Sequence, residues 1–141
     1  MAEAGGVFRL EVVTPSEVVL DQEVREMIAP GTEGYFGVLP GHLPFVTTLD
    51  IGELTYRQDG EEQHLVVSGG YAEIRRESVV ILADSAERPE QIDIARAQRA
   101  RERAEQRLEK WRAGDPDVDY VRARCALQRA LVRLEAAGKG R

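Results

Sequence analysis

Arginine is the residue through which this chain could do chemistry. Arg96, Arg99, Arg101, Arg103, Arg107, Lys110 and Arg112 crowd one stretch, and Arg122, Arg124, Arg129 and Arg133 a second. Guanidinium groups present fixed pairs of N–H donors, so where several converge they suit phosphates and carboxylates. Three readings of the basic stretches stay open. They can be a solvated face paired with Glu102, Glu105, Glu109 and Glu135, with little energy in each pair. They can meet an acidic protein partner, or a nucleic acid. The last is disfavoured because the remainder of the chain is strongly acidic and would repel phosphates. Other chemistry has little support. No GxxxxGK[ST] motif is present, and the only lysines are Lys110 and Lys139. His42 and His64 lack metal-ligand spacing, and Cys125 has no nucleophile motif around it. No catalytic residue and no metal requirement are expected.

Two different periodicities position these residues. Phe8, Leu10 and Val12 alternate with Arg9 and Glu11, the period-2 mark of a half-buried strand. Further β-rich runs lie at 18–20, 26–28, 45–47, 54–56, 65–67, 71–74 and 78–82. Asp59-Gly60 reads as a hairpin turn, and Ser68-Gly69-Gly70 as a break between two strands. After Ala83 the period becomes helical. Ala97, Ala100, Ala104, Leu108 and Trp111 share one face over about 91–112. Tyr120, Ala123, Leu127, Ala130 and Leu134 share another over about 116–137. Gly114 is the expected turn, with Asp115 as N-cap and Pro116 at the first helical position of the second helix. The stripe is mostly alanine, and a methyl-sized group contributes only about 0.8 kcal/mol when buried. The hairpin should therefore be helical but weakly held.

The fold expected is β followed by α: an antiparallel sandwich of about ten short strands over residues 1–86, then an antiparallel helical hairpin over 87–141. Charge divides at the same place. Residues 1–86 hold five arginines and fifteen carboxylates, hence −10; residues 87–141 hold fourteen basic and ten acidic residues, hence +4. The two halves should face different partners. With the turn at Gly114, Arg96 stands level with about residue 132, between Arg129 and Arg133, and Asp93 falls nearby. That cluster reads either as a structural salt bridge, with Asp93 stabilising a helix start, or as an anion site. The longest apolar run, 79–83, is far short of the roughly 20 residues that span a bilayer. Residues 1–6 do not form a secretory signal, and a lone cysteine fits a reducing compartment. A cytosolic location is expected.

The most distinctive stretch is 29–44, Ala-Pro-Gly-Thr-Glu-Gly-Tyr-Phe-Gly-Val-Leu-Pro-Gly-His-Leu-Pro. Its glycines and prolines forbid a helix or an uninterrupted strand, while Phe36, Val38, Leu39 and Leu43 make it too apolar for a linker. A tightly turned ribbon at one end of a β structure is expected. This ribbon resembles the signature of the epsilon subunit of the rotary F-type ATP synthase. So do Ser68-Gly69-Gly70, Val80-Ile81-Leu82-Ala83-Asp84 and Ile92-Asp93-Ile94-Ala95-Arg96-Ala97. Together they cover most of residues 8–134. The resemblance implies a non-catalytic rotor subunit at the cytoplasmic face of a bacterial inner membrane, attached only through its complex. Its head would grip the gamma subunit and stand on the c-ring through Glu33, Tyr35 and His42. Its hairpin would reach the alpha and beta subunits and inhibit ATP hydrolysis, with Arg99, Arg103, Arg107 and Arg122 meeting acidic groups. ATP is implied as a regulatory ligand at Glu87, Asp93, Arg96, Arg129 and Arg133. A stand-alone ATP-sensing module is the alternative reading.

Overall fold

A computed structural model describes residues 6–139; residues 1–5 of the stretch weighed as a signal lie outside them. The chain divides into two compact units between Arg88 and Pro89, two residues later than the expected 86/87 boundary. The reason is the last strand of the first unit, which extends to Glu87 instead of stopping near Leu82.

The first unit is built from β1 (Phe8–Val13), β2 (Val18–Val24), β3 (Glu26–Gly31), β4 (Gly34–Val38), β5 (Phe45–Thr48), β6 (Ile51–Gln58), β7 (Glu61–Ile74) and β8 (Ser78–Glu87). Eight strands among the described residues replace the expected ten or so. They run in the order β2-β1-β8-β7-β6-β3-β4, with β5 also paired to β7. Side chains from β1, β2, β3, β4, β6, β7 and β8 meet in one cluster, so the sheet folds over on itself as a sandwich. Phe8, Leu10 and Val12 alternate inward as their spacing predicts. One pairing is parallel, β1 with β8, from Arg9 opposite Ser78 to Val13 opposite Leu82. The sandwich is therefore not wholly antiparallel. More than sixty residues separate these strands, enough for the long connection that parallel pairing demands.

Ser68-Gly69-Gly70 does not break a strand pair. β7 passes straight through it, pairing with β6 as far as Ser68 and with β5 from Tyr71. Before the glycines the core-facing residues are Leu65 and Val67; after them they are Ala72 and Ile74. The inward face thus changes parity, because Gly69 and Gly70 have φ of +69° and +106°. Such angles turn the strand so that one chain serves both layers. A Cβ on Gly70 would lie 1.9 Å from the Leu82 carbonyl oxygen, so only glycine fits there.

The second unit opens with a 3-10 turn, Pro89–Gln91, followed by α1 (Ile94–Arg112) and α2 (Tyr120–Lys139). The helices span 19 and 20 residues. Ala97, Ala104 and Leu108 of α1 and Ala123, Ala130, Ala136 and Ala137 of α2 are buried, an alanine-rich stripe as expected, but Trp111 and Tyr120, placed on it by spacing, are 45% and 39% exposed. The start of α2 is corrected. Asp119, not Asp115, caps it, accepting the Arg122 N–H at 3.1 Å. Asp115 instead accepts the Asp117 N–H at 2.9 Å, closing a small turn around Pro116. The connection consequently runs from 113 to 119 and is centred near Pro116 rather than Gly114. Trp111 and Tyr120 stack across it, ring centroids 4.4 Å apart.

Candidate functional site

The ribbon is a β3–β4 hairpin whose tip is Thr32-Glu33, followed by a second turn at Pro40-Gly41. Its tip is tied down by Thr32 and Thr48, whose hydroxyls lie 2.7 Å apart and between which the Thr32 N–H reaches the Thr48 carbonyl at 3.1 Å. Glu33 is exposed at the turn. Tyr35 is 62% exposed, yet its hydroxyl accepts the Glu53 N–H at 3.3 Å. That reach depends on Gly52: a Cβ there would stand 2.7 Å from the Tyr35 hydroxyl and 2.7 Å from Pro30 Cβ. Tyr35 therefore both faces outward and braces β4 to β6.

His42 is half-buried. Its ring packs edge-on against Phe8, centroids 5.3 Å apart, and both ring nitrogens are buried. The outward positions of this loop belong to Leu39 and Leu43, 60% and 79% exposed. From sequence these two read only as part of the ribbon's apolar content and not as outward-facing contact residues, although they flank the histidine at −3 and +1 in a proline-bounded loop. Among the described residues no group of three or more His, Cys, Asp or Glu is arranged to hold a metal ion.

The second set of residues lies on the helical unit. Asp93 caps α1 in an extended conformation and accepts the Arg96 N–H at 3.0 Å. Its carboxylate is thus already engaged at the helix start, as the macrodipole argument expects. Arg96 is exposed in the first turn; Arg129 and Arg133 are half-buried one turn apart on α2. Moving the centre of the turn to Pro116 changes the level-matching. Arg96, twenty residues before Pro116, now stands level with about residue 136, roughly one turn beyond Arg133. Glu87 belongs to the other unit, at the end of β8. Arg99, Arg103 and Arg107 recur every fourth residue and are exposed. Among the described residues no ion pair holds them. The pairs that form on α1 are Arg101 with Glu105 at 3.9 Å and Arg112 with Glu109 at 2.7 Å. Arg107, Lys110 and Arg122, together with Asp115, Asp117 and Asp119, line an open depression of about 500 Å³ at the turn.

Residues 7–89 match the beta-sandwich domain of the ATP synthase delta/epsilon chain, and residues 90–138 match its long alpha-helix domain. The chain belongs to the ATP synthase delta/epsilon family. Within the family it is similar to ATP synthase epsilon chains. That of Nitratidesulfovibrio vulgaris is 51% identical over 131 residues, covering 93% of this chain and 96% of the relative. That of Moorella thermoacetica is 50% identical over 132 residues, with the same shares covered. A chain of the Euglena gracilis mitochondrial ATP synthase, solved as an OSCP/F1/c-ring assembly, superposes with a TM-score of 0.80 at 27% identity. The match covers 96% of this chain and 84% of that one. A chain of the Tetrahymena thermophila central stalk and c-ring, at a TM-score of 0.53 and 13% identity, shares the fold. Family membership makes the chain a subunit of a larger assembly. Among the described residues no helix is long and apolar enough to cross a membrane.

Proposed function

We propose that the chain is the epsilon subunit of a bacterial ATP synthase, a non-catalytic part of the rotor with two tasks. Its sandwich couples the gamma subunit to the c-ring during proton-driven synthesis at the cytoplasmic face of the inner membrane. Its hairpin inhibits ATP hydrolysis by meeting acidic groups of the alpha and beta subunits. The observation that carries the second task is the exposed ridge of Arg99, Arg103 and Arg107, continued at the turn by Arg122. A ridge at i, i+4 spacing with no ion pair among the described residues is a surface of unspent positive charge. The hairpin's buried stripe of alanines and one leucine suits an element that changes partners, since each methyl contributes only about 0.8 kcal/mol. The test is reconstitution of the complex with Arg99, Arg103, Arg107 and Arg122 all changed to alanine. Inhibition of ATP hydrolysis should be relieved while assembly is kept. Added salt should act in the same direction, because exposed charges are screened over about 10 Å at 0.1 M. Unchanged inhibition would reduce the ridge to solvated surface.

A second reading makes ATP a regulatory ligand of the hairpin, held through Asp93, Arg96, Arg129 and Arg133. It is favoured by the first turn of α1, where capped Asp93 and Arg96 are both exposed. Ligand at about 100 times its Kd adds roughly 2.7 kcal/mol to the state that binds it, enough to bias so thin a core. Calorimetric titration with ATP should give heat with the parent chain and weaker binding with Arg96→Ala and Arg133→Ala. No heat at millimolar ATP, or equal affinities, would leave only structural interactions there.

A further inference from the structure

The loop between β4 and β5 points one side chain inward and two outward. Leu39 and Leu43 project from it, while His42 sets its ring against Phe8 at an interplanar angle of 86°. Phe8 is itself 2% exposed on the first core strand, so the imidazole plugs the margin of the core. Neither ring nitrogen has a hydrogen-bond partner among the described residues, and both are buried. A neutral imidazole bears this at the cost of one unmet donor and one unmet acceptor. An imidazolium would bring two donors and a full charge into the same slot, which is far less favourable. No charged side chain counts among the influences on the ring. Burial is the leading one and lowers its pKa below the ordinary 6.5; the nearby His42 carbonyl, which does not reach hydrogen-bond geometry, works weakly the other way.

We propose that His42 is a proton-operated catch: its neutral ring fastens the loop bearing Leu39 and Leu43 to the head, and protonation expels the ring and frees the loop. The consequence for rotor contact rests on the c-ring reading above, whereas the catch is a property of this chain alone. The sign follows from the direction of the shift. The folded form favours the neutral ring, so the contribution is complete above pH 6.5 and is lost as pH falls through the depressed pKa. Proton uptake would loosen the part of the head that presents its exposed leucines.

The chain has two histidines, which makes the test direct. Imidazole nitrogens of the full, uniformly ¹⁵N-labelled chain are followed by NMR from pH 8 to pH 5, with His64→Gln used to assign the signals. The expected result is a His42 midpoint below 6.5, with the Leu39, Gly41 and Leu43 amides shifting at that same midpoint. In His42→Gln these amides should stay flat over the same range. A His42 midpoint at or above 6.5 would overturn the proposal. So would loop amides that ignore the His42 titration, or that titrate unchanged in His42→Gln. Should that variant not fold, the parent titration decides alone. Binding of Leu43→Ser to a detergent-solubilised c-ring at pH 7.5 tests the contact reading separately, since the catch is closed at that pH.

Discussion

Replacing Gly70 with alanine probes whether the change of strand face in β7 holds the sandwich together. At φ of +106° an L residue is disfavoured by about 1–2 kcal/mol. The added Cβ would also stand 1.9 Å from the Leu82 carbonyl oxygen and 2.9 Å from Ala83 Cα. Both are backbone atoms of β8, so relief requires the strands to move apart, and overpacking of this kind costs roughly 1–3 kcal/mol. The expected loss is about 2–5 kcal/mol. In a domain of fewer than 100 residues each kcal/mol shifts Tm by about 4–8 °C, so calorimetry should show the sandwich transition falling by at least about 8 °C. Two glycines serve as controls. Gly114 has φ of +94° but nothing within 4 Å of a new Cβ, and its alanine variant should lose about 1 kcal/mol from the hairpin alone. At Gly69 the Cβ would meet Asp84 Oδ2 at 2.6 Å, a side-chain end that can swing away, so the cost should be intermediate. A Gly70→Ala chain no less stable than Gly69→Ala would refute the idea that β8 leaves no room there.

The correction at the start of α2 yields a paired test. Asp119→Ala should destabilise the hairpin by about 1 kcal/mol through loss of its cap, while Asp115→Ala should cost less, as read from helical circular dichroism during thermal melting. A chain ending at Arg88 should unfold cooperatively and still join the complex; one ending at Ala86 should melt lower. The latter loses the Val66–Glu87 pairing and the Arg88 guanidinium, which donates to the Val19 carbonyl at 3.1 Å. Arg9→Ala should leave stability nearly unchanged despite two short bonds to Asp21, because that pair is exposed and screened by solvent. Denaturant titration of the full chain checks it.

Most of the fold was legible because its signals are local. The alternation in β1 and the alanine stripe of the hairpin each follow from a period that any short window displays. What sequence could not supply was non-local or three-dimensional. Gly69-Gly70 looks like a terminator in isolation, and only the Leu82 backbone beside it shows that the strand must continue through. The parallel β1–β8 pairing joins residues too far apart for any local pattern to reveal. At the hairpin turn three aspartates compete for one cap. Asp115 before proline was the stronger local signal, but the Asx turn it forms hands the helix start to Asp119. In the ribbon, sequence singled out Glu33, Tyr35 and His42, of which the structure exposes the first two and half-buries the third. It could not see that Tyr35 is tethered over Gly52, or that Phe8 draws His42 inward.

The parallel pairing of β1 with β8 also sets the order in which the chain can acquire structure. β1 finds β2 early through a short antiparallel connection, but its other neighbour is more than sixty residues away. Until β8 has been synthesised, one edge of β1 carries unpaired amides and carbonyls, an invitation to association with other chains. Closure of the sandwich must therefore wait for nearly all of its sequence, and loops of that length are slow to close. The helical hairpin, whose contacts are between neighbours in sequence, emerges last and needs no such search. Folding of the sandwich is then paced by its first strand waiting for its last, while the hairpin is ready almost as soon as it is made.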